Sequence, residues 1–223
     1  MASLKRYQRQ TQTDIKWLDR PLQGLAYWMG LRDCYFDNYP LGESALVAEL
    51  CNLLASKAPA RRGGKRMVVA PEHALAYLRR EPLPGGRGRH PAVDLVLGWR
   101  RKGPGGIDPV LCIEVKRRSA GDYEEDLDRL ADARRVGGGR WRGLVVLTSQ
   151  GERPHEFLGA TGRALRRLRT TAAGTWYRAR RIYKALSTRS EKSSKGYWVT
   201  LLEIDPPAIQ TASSVAPASK AKP

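Results

Sequence analysis

The chain has 223 residues and a formal net charge of +18, and 41% of its residues are hydrophobic. This length and apolar content suffice for one folded domain with a full core. The positive charge, with a sequence pI of about 10.3, predicts a polyanionic partner, nucleic acid ahead of an anionic membrane surface. The N-terminus has no signal segment, and no apolar run reaches the roughly 20 residues of a membrane span, so we expect no membrane association and a cytoplasmic location.

Three cysteines are scattered along the chain without paired spacing. This arrangement favours neither a disulfide framework nor a zinc site. Cys51 and Cys112 lie in apolar patterns and are interpreted as small core residues.

The first part of the chain predicts helices and one short strand. Residues 1–40 read as an N-terminal extension, rich in aromatic residues, with a helix over 18–31. Apolar residues at helical spacing predict an amphipathic helix over 43–54. A short strand is expected over 67–70, and Pro71 can open a helix through 78.

The middle of the chain predicts a hairpin followed by a helix and a strand. Strands over 92–99 and 110–116 flank a glycine-rich turn, which predicts antiparallel pairing. A helix over 122–135 ends at three glycines, and an apolar strand follows over 144–148. This order of elements predicts the α/β class, with a mixed central sheet flanked by helices.

Beyond residue 150 the sequence becomes rich in arginine. Leucines and aromatic residues at three- and four-residue spacing predict basic helices over 155–186, with a break near 170–174, and a final strand is expected over 197–204. The division we predict is an N-terminal extension, a core, a basic helical extension with the final strand, and a disordered tail, namely 1–40, 41–150, 151–205 and 206–223.

Two charges interrupt the apolar strand 110–116. Because side chains alternate along a strand, Glu114 and Lys116 emerge on the same face. Burying an unpaired charge costs on the order of several kcal/mol, so this pattern calls for a chemical reason. Asp94 interrupts the preceding strand in the same way, and hairpin pairing would bring its carboxylate toward that of Glu114.

These residues can support metal-assisted hydrolysis of a phosphodiester. Mg²⁺ takes hard oxygen ligands, acidifies a bound water and neutralises charge on the phosphate. Asp94 and Glu114 would be ligands, with the carbonyl of Val115 as a further one, and Lys116 would position or deprotonate the water.

At these motifs the chain resembles the PD-(D/E)xK nuclease superfamily. The matching segments are Pro91-Ala92-Val93-Asp94 and Ile113-Glu114-Val115-Lys116. The resemblance covers 41–149 and implies a restriction-endonuclease-like core of the order αβββαβ. It further implies an Mg²⁺-dependent endonuclease, with Mn²⁺ as a substitute, and a third acidic ligand from the first core helix, for which Glu43 is the candidate.

Several alternatives remain open at this stage. Glu49 is the rival to Glu43, although Glu43 lies on the face of the helix that should pack against the sheet. Lys116 could simply neutralise Glu114 or Asp94 in a buried ion pair, which seldom adds stability. The helix after Lys116 shows no auxiliary motif that would assign a subfamily. A nuclease fold that binds DNA without cutting it is the alternative function, and RNA binding is a weaker one.

The basic residues predict the mode of binding. Arginines that contact phosphates would position duplex or branched DNA without reading its sequence. A homodimer is compatible with this function. The candidate contacts are Arg61, Arg62, Arg117, Arg118, Arg163, Arg166, Arg167, Arg178 and Arg181.

Overall fold

The chain folds around a mixed seven-stranded sheet flanked by helices, which confirms the α/β class. The structure is a computed structural model. It describes residues 15–35, 41–59, 66–79, 91–101, 106–118, 123–138, 141–186 and 196–205. Arg61, Arg62 and the predicted tail 206–223 lie outside the described residues.

The described helices and strands follow the predicted order through residue 150. The helices are α1 (Asp19–Tyr35), α2 (Glu43–Lys57), α3 (Leu75–Arg79) and α4 (Tyr123–Val136), with short 3₁₀ turns at Lys16–Leu18 and His155–Phe157. The strands are β1 (Met67–Ala74), β2 (Ala92–Arg100), β3 (Ile107–Arg117), β4 (Arg142–Gln150), β5 (Arg169–Thr170), β6 (Trp176–Leu186) and β7 (Gly196–Ile204).

The strands run in the order β1-β2-β3-β4-β7-β6-β5. Strands β2 and β3 pair in antiparallel fashion, as the hairpin prediction required. Strands β3 and β4 are parallel, and α4 makes the crossover between them. The remaining neighbours are antiparallel.

Alternate residues of β3 enter two separate cores. Ile113 and Val115 pack with the leucines of α1 and α2 on one face of the sheet. Cys112 packs with α4 on the other face and is fully buried, as predicted. A continuous apolar run buried on both faces is typical of a strand in the interior of a parallel or mixed sheet.

The prediction for the segment after β1 is partly wrong. The helix expected from Pro71 begins only at Leu75, because β1 continues through Ala74 in register with β2. Strand β1 lies at the edge of the sheet. Proline is tolerated there because an edge strand does not need every N–H for pairing.

The predicted basic helices over 155–186 are wrong. Only the single 3₁₀ turn at His155–Phe157 is helical, and residues 176–186 form strand β6. The pairing of β6 with β7 shifts register between Ala179 and Arg181. The helix-like spacing marks no single packed face, because Trp176 and Leu186 are exposed while Ala179 and Tyr183 pack against opposite cores.

The final strand was predicted correctly as β7, and it pairs with β4 and β6 in the same sheet. Among the described residues, no helix combines the length and the apolar character needed to cross a membrane.

We predict that Gly98→Ala destabilises the fold by roughly 1–3 kcal/mol. The register of β2 against β3 shifts at this position, and a Cβ on Gly98 would lie 2.3 Å from the carbonyl oxygen of Asp108. Gly30→Ala is the matched control, because its Cβ would lie 3.4 Å from Tyr197 within helix α1, where alanine is favoured. Urea unfolding should show a loss for Gly98→Ala and no loss for the control.

Candidate active site

Strand pairing sets Asp94 beside Glu114. The β2–β3 register pairs Leu95 with Ile113, and its continuation by one residue sets Asp94 opposite Glu114. The amide of Val115 donates a hydrogen bond of 2.7 Å to Oδ2 of Asp94. The amide of Asp94 lies 3.5 Å from Oε2 of Glu114. Each carboxylate is therefore held against the backbone of the neighbouring strand.

Glu114 is almost fully buried, with 3% of its side chain exposed, and Arg129 of helix α4 contacts it. The guanidinium donates a hydrogen bond of 2.6 Å to Oε1. Burial and the neighbouring charge of Asp94 raise the pKa of Glu114 to about 8, although Arg129 lowers it. The fold thus keeps a carboxylate where its ionisation is costly.

Lys116 extends toward two further carboxylates. Its ammonium lies 3.4 Å from Oδ2 of Asp126 and 3.9 Å from Oε2 of Glu43. Partial burial by itself lowers the pKa of Lys116, but Asp126 and Glu43 more than offset this effect, so the net shift is upward. Lys116 is consequently charged at neutral pH.

Glu43 reaches the cluster from the opposite layer of the fold. It occupies the first turn of α2, where a carboxylate suits the helix dipole. Its Oε1 accepts a hydrogen bond of 3.3 Å from the amide of Arg117, at the end of β3. Among the described residues, no hydrogen bond or ion pair joins Glu49 to this group, so the geometry favours Glu43.

Asp126 and Arg129 were not predicted as site residues from the sequence. Arg129 contacts Asp126 at 2.8 Å as well as Glu114, and only 5% of the Asp126 side chain is exposed. The sequence pattern that could have identified Asp126 is its helical spacing with Leu130 and Ala133, which places it on the buried face of α4. A carboxylate in the first turn also suits the helix dipole, and this explanation made Asp126 look ordinary.

We call the six side chains the carboxylate cluster, and they lie around the C-terminal half of β3. Its members are Glu43, Asp94, Glu114, Lys116, Asp126 and Arg129. When ionised, these four carboxylates outnumber the two cationic side chains, although the whole chain carries an excess of positive charge. A local negative centre in so basic a protein is suited to attract a cation.

The donor atoms of the cluster fit a hard divalent cation. Within the described ranges, no three or more His, Cys, Asp or Glu side chains are grouped so as to hold a metal ion. Mg²⁺ sites, however, commonly use one or two carboxylates completed by water and substrate phosphate. Asp94 and Glu114 meet that requirement, and the buried Oδ2 of Asp126 lies 3.4 Å from the Lys116 ammonium.

The predicted phosphate-binding arginines divide into two groups. Arg163, Arg166 and Arg167 are exposed, and no ion pair holds them within the described part of the chain. Three of the other described arginines are engaged in ion pairs: Arg118 with Glu152 and Glu156, Arg178 with Asp205, and Arg181 with Asp19. Arg117 contacts Glu43 through its backbone amide.

Comparisons of the chain with models of protein families, with curated proteins and with solved structures found no match.

We predict that Glu114→Gln becomes more stable relative to the wild type as pH rises. The folded protein keeps the Glu114 proton up to about pH 8, whereas the unfolded chain releases it near the ordinary value of 4.5. Wild-type stability therefore falls as pH rises through this window, and glutamine abolishes that loss. Thermal unfolding in EDTA should show the Tm difference growing by roughly 4 °C or more from about pH 5 to about pH 8.5.

Glu49→Gln makes the same chemical change outside the cluster and is the reference for the loss of one carboxylate. A Tm difference for Glu114→Gln that does not grow with pH would contradict the raised pKa of Glu114.

Proposed function

We propose that this protein is a divalent-metal-dependent endonuclease that hydrolyses phosphodiester bonds in DNA. One observation carries most of the proposal: Asp94 and the Glu114-Val115-Lys116 segment lie on paired strands and are joined by the hydrogen bond from the Val115 amide. The acid and the E-x-K triplet of the sequence motif are thus neighbours in space.

We infer that the core is restriction-endonuclease-like. The order α2, β1, β2, β3, α4, β4 supports this inference because it follows αβββαβ, with the short helix α3 inserted after β1. The mixed order β1-β2-β3-β4 places both acidic positions on adjacent strands. The closing strands β5, β6 and β7 extend the same sheet.

Asp94 and Glu114 would hold the cation, and Glu43 remains the candidate for a third ligand. Mg²⁺ or Mn²⁺ bound there would lower the pKa of a water molecule and neutralise charge on the scissile phosphate. The hydrogen bond from the Val115 amide fixes Oδ2 of Asp94 and leaves Oδ1 as the oxygen that would bind the cation. Burial of Glu114 limits the competing water around its carboxylate.

Lys116 would act as a fixed positive charge. Its raised pKa keeps the ammonium protonated, so it is better suited to stabilise charge on the phosphate and to orient the attacking water than to remove a proton. Asp126 and Glu43 hold the ammonium from two sides, which preorganises it. The structural interpretation of Lys116 as a simple partner for Glu114 is less favoured because other carboxylates hold it.

DNA is the substrate class that the charge distribution supports. Exposed arginines at residues 163, 166 and 167 can contact successive phosphates without reading the sequence. The protein would thus concentrate DNA over its surface, while the cluster supplies the local negative centre that binds the metal.

A second candidate function is a nuclease-fold module that binds DNA without cutting it. The observation in its favour is Arg129, which bridges Glu114 and Asp126 at 2.6 and 2.8 Å. A guanidinium in this position can neutralise the carboxylates without a metal.

We predict that purified protein nicks supercoiled plasmid or branched DNA in Mg²⁺ and not in EDTA. Asp94→Asn, Glu114→Gln and Lys116→Ala should each lower the rate roughly a hundredfold or more, because each removes a ligand or a charge that acts on the transition state. Rates are measured by gel electrophoresis, with circular dichroism to confirm that each variant is folded.

Glu43→Gln should also lower the rate, because it removes the candidate third ligand. Glu49→Gln on the same helix is its matched control and should cleave like the wild type. Cleavage that survives Asp94→Asn and Glu114→Gln together would place the chemistry elsewhere. DNA binding without cleavage in any divalent metal would favour the non-cutting module.

We predict that replacing Arg163, Arg166 and Arg167 together by alanine makes DNA binding less sensitive to salt. Each phosphate contact contributes about 0.9 to the slope of log K against log salt on duplex DNA, so the slope should fall by up to about 3. Arg178→Ala is the control, since Asp205 already pairs with that side chain at 2.6 Å. Fluorescence anisotropy titrations at several salt concentrations measure the slope, and an unchanged slope in the triple variant would remove these residues from the interface.

A further inference from the structure

An open cleft of about 450 Å³ lies between the start of α4, residues 167–170 and the first two residues of β6. Tyr123, Leu168 and Trp176 contribute apolar surface to it, while Arg167 and Glu124 contribute charge. Its lining combines a flat aromatic surface with one cation and one carboxylate.

Hydrogen bonds and ring contacts fix the walls of the cleft to one another. The hydroxyl of Thr171 donates a hydrogen bond of 2.6 Å to Asp128 of α4 and accepts one of 3.0 Å from the amide of Thr175. Tyr123 packs edge to face against Tyr177, with ring centroids 6.3 Å apart. Helix α4 and the turn before Trp176 therefore form one preformed surface.

The exposure of the apolar lining is the feature that points to a ligand. Trp176 is 49% exposed and Leu168 is 41% exposed, and both line the cleft. Large exposed apolar side chains that share a concave surface with polar groups are typical of binding sites. Arg167 stands between Leu168 and the exposed Arg166 in the chain, so positive charge borders the apolar surface.

The cleft adjoins the carboxylate cluster. Tyr123 and Asp126 are three residues apart on α4, and side chains at this spacing are neighbours on a helix surface. Asp126 in turn contacts Lys116 at 3.4 Å. The cleft and the carboxylate cluster therefore both include side chains from the first turn of α4.

We propose that this cleft binds an unpaired nucleobase of the DNA strand whose phosphate lies at the carboxylate cluster. The base stacks on Trp176, because every base offers a π-face to an aromatic side chain. Arg167 contacts the neighbouring phosphate, and the carboxylate of Glu124 accepts a hydrogen bond from an exocyclic amino group.

This site deepens the proposed function and rests on it, since it names the substrate class as DNA with unpaired nucleotides near the point of cleavage. A base inside an intact duplex would have to leave its stack to enter the cleft, which costs a few kcal/mol. Branched DNA and single strands present such bases without that cost.

The test measures binding of a fluorescein-labelled single-stranded DNA oligonucleotide to the full-length protein in EDTA, where metal-dependent cleavage is absent. Trp176→Ala should weaken binding about tenfold, and Trp176→Phe should recover most of the loss. Tyr27→Ala is the matched control, because Tyr27 is 62% exposed on helix α1 in the other layer. A blunt duplex of the same sequence should show little dependence on Trp176.

A second measurement tests whether Trp176 contacts a base of the bound strand. Oligonucleotides with a single abasic position are compared in turn, and one position should weaken binding to the wild type and leave binding to Trp176→Ala unchanged. Equal losses in both proteins at every position, or failure of the wild type to bind single strands, would overturn the site. Tighter Trp176-dependent binding of the matching RNA strand would overturn its assignment to DNA.

The two proposals fail separately. If single strands bind in a Trp176-dependent way and no metal supports cleavage, the nuclease proposal is wrong and the base-binding cleft stands. If branched DNA is cleaved and Trp176→Ala changes neither binding nor cleavage, the base-binding cleft is wrong and the nuclease proposal stands.

Discussion

The antiparallel pairing of β2 with β3 is the constraint on which the rest of the site depends. It sets Asp94 opposite Glu114, and the hydrogen bond from the Val115 amide to Asp94 joins the two strands at the point where the carboxylates emerge. A slip of one residue in either strand would turn one of these side chains into the opposite core. The register that buries Ile113 and Leu95 thereby also places the acids.

Both helical layers then contribute to the end of β3. Helix α4 supplies Asp126 and Arg129 from one side, and α2 supplies Glu43 from the other, so Lys116 lies between groups from separate cores. Keeping Glu114 ionisable in this setting opposes stability, since burial favours its neutral form. Arg129 offsets part of that cost. Sites that retain such a group are more often chemical than structural, because an apolar side chain would pack there at lower cost.

Much of the core and of the central trio could be predicted from the sequence because both follow from local periodicity. Alternation along a strand is enough to place Glu114 and Lys116 on one face, and two charges within an apolar run identify them as unusual. The glycine-rich turn before β3 is enough to predict that Asp94 lies on the partner strand. Helix α2 and strand β4 likewise follow from spacing and length alone, and so does the burial of Cys112.

The sequence by itself determined which elements form through residue 150 and which charged residues interrupt them. Only the tertiary structure decided that 176–186 is a strand, because the bulge near Ala179 and the pairing with β7 override a spacing that resembles a helix. It also decided that Arg129 reaches Glu114, and that Arg178 pairs within the fold instead of facing solvent. These contacts join residues that are brought together by the topology of the sheet. The spacing of residues along one helix or strand does not indicate which other element will pack against it.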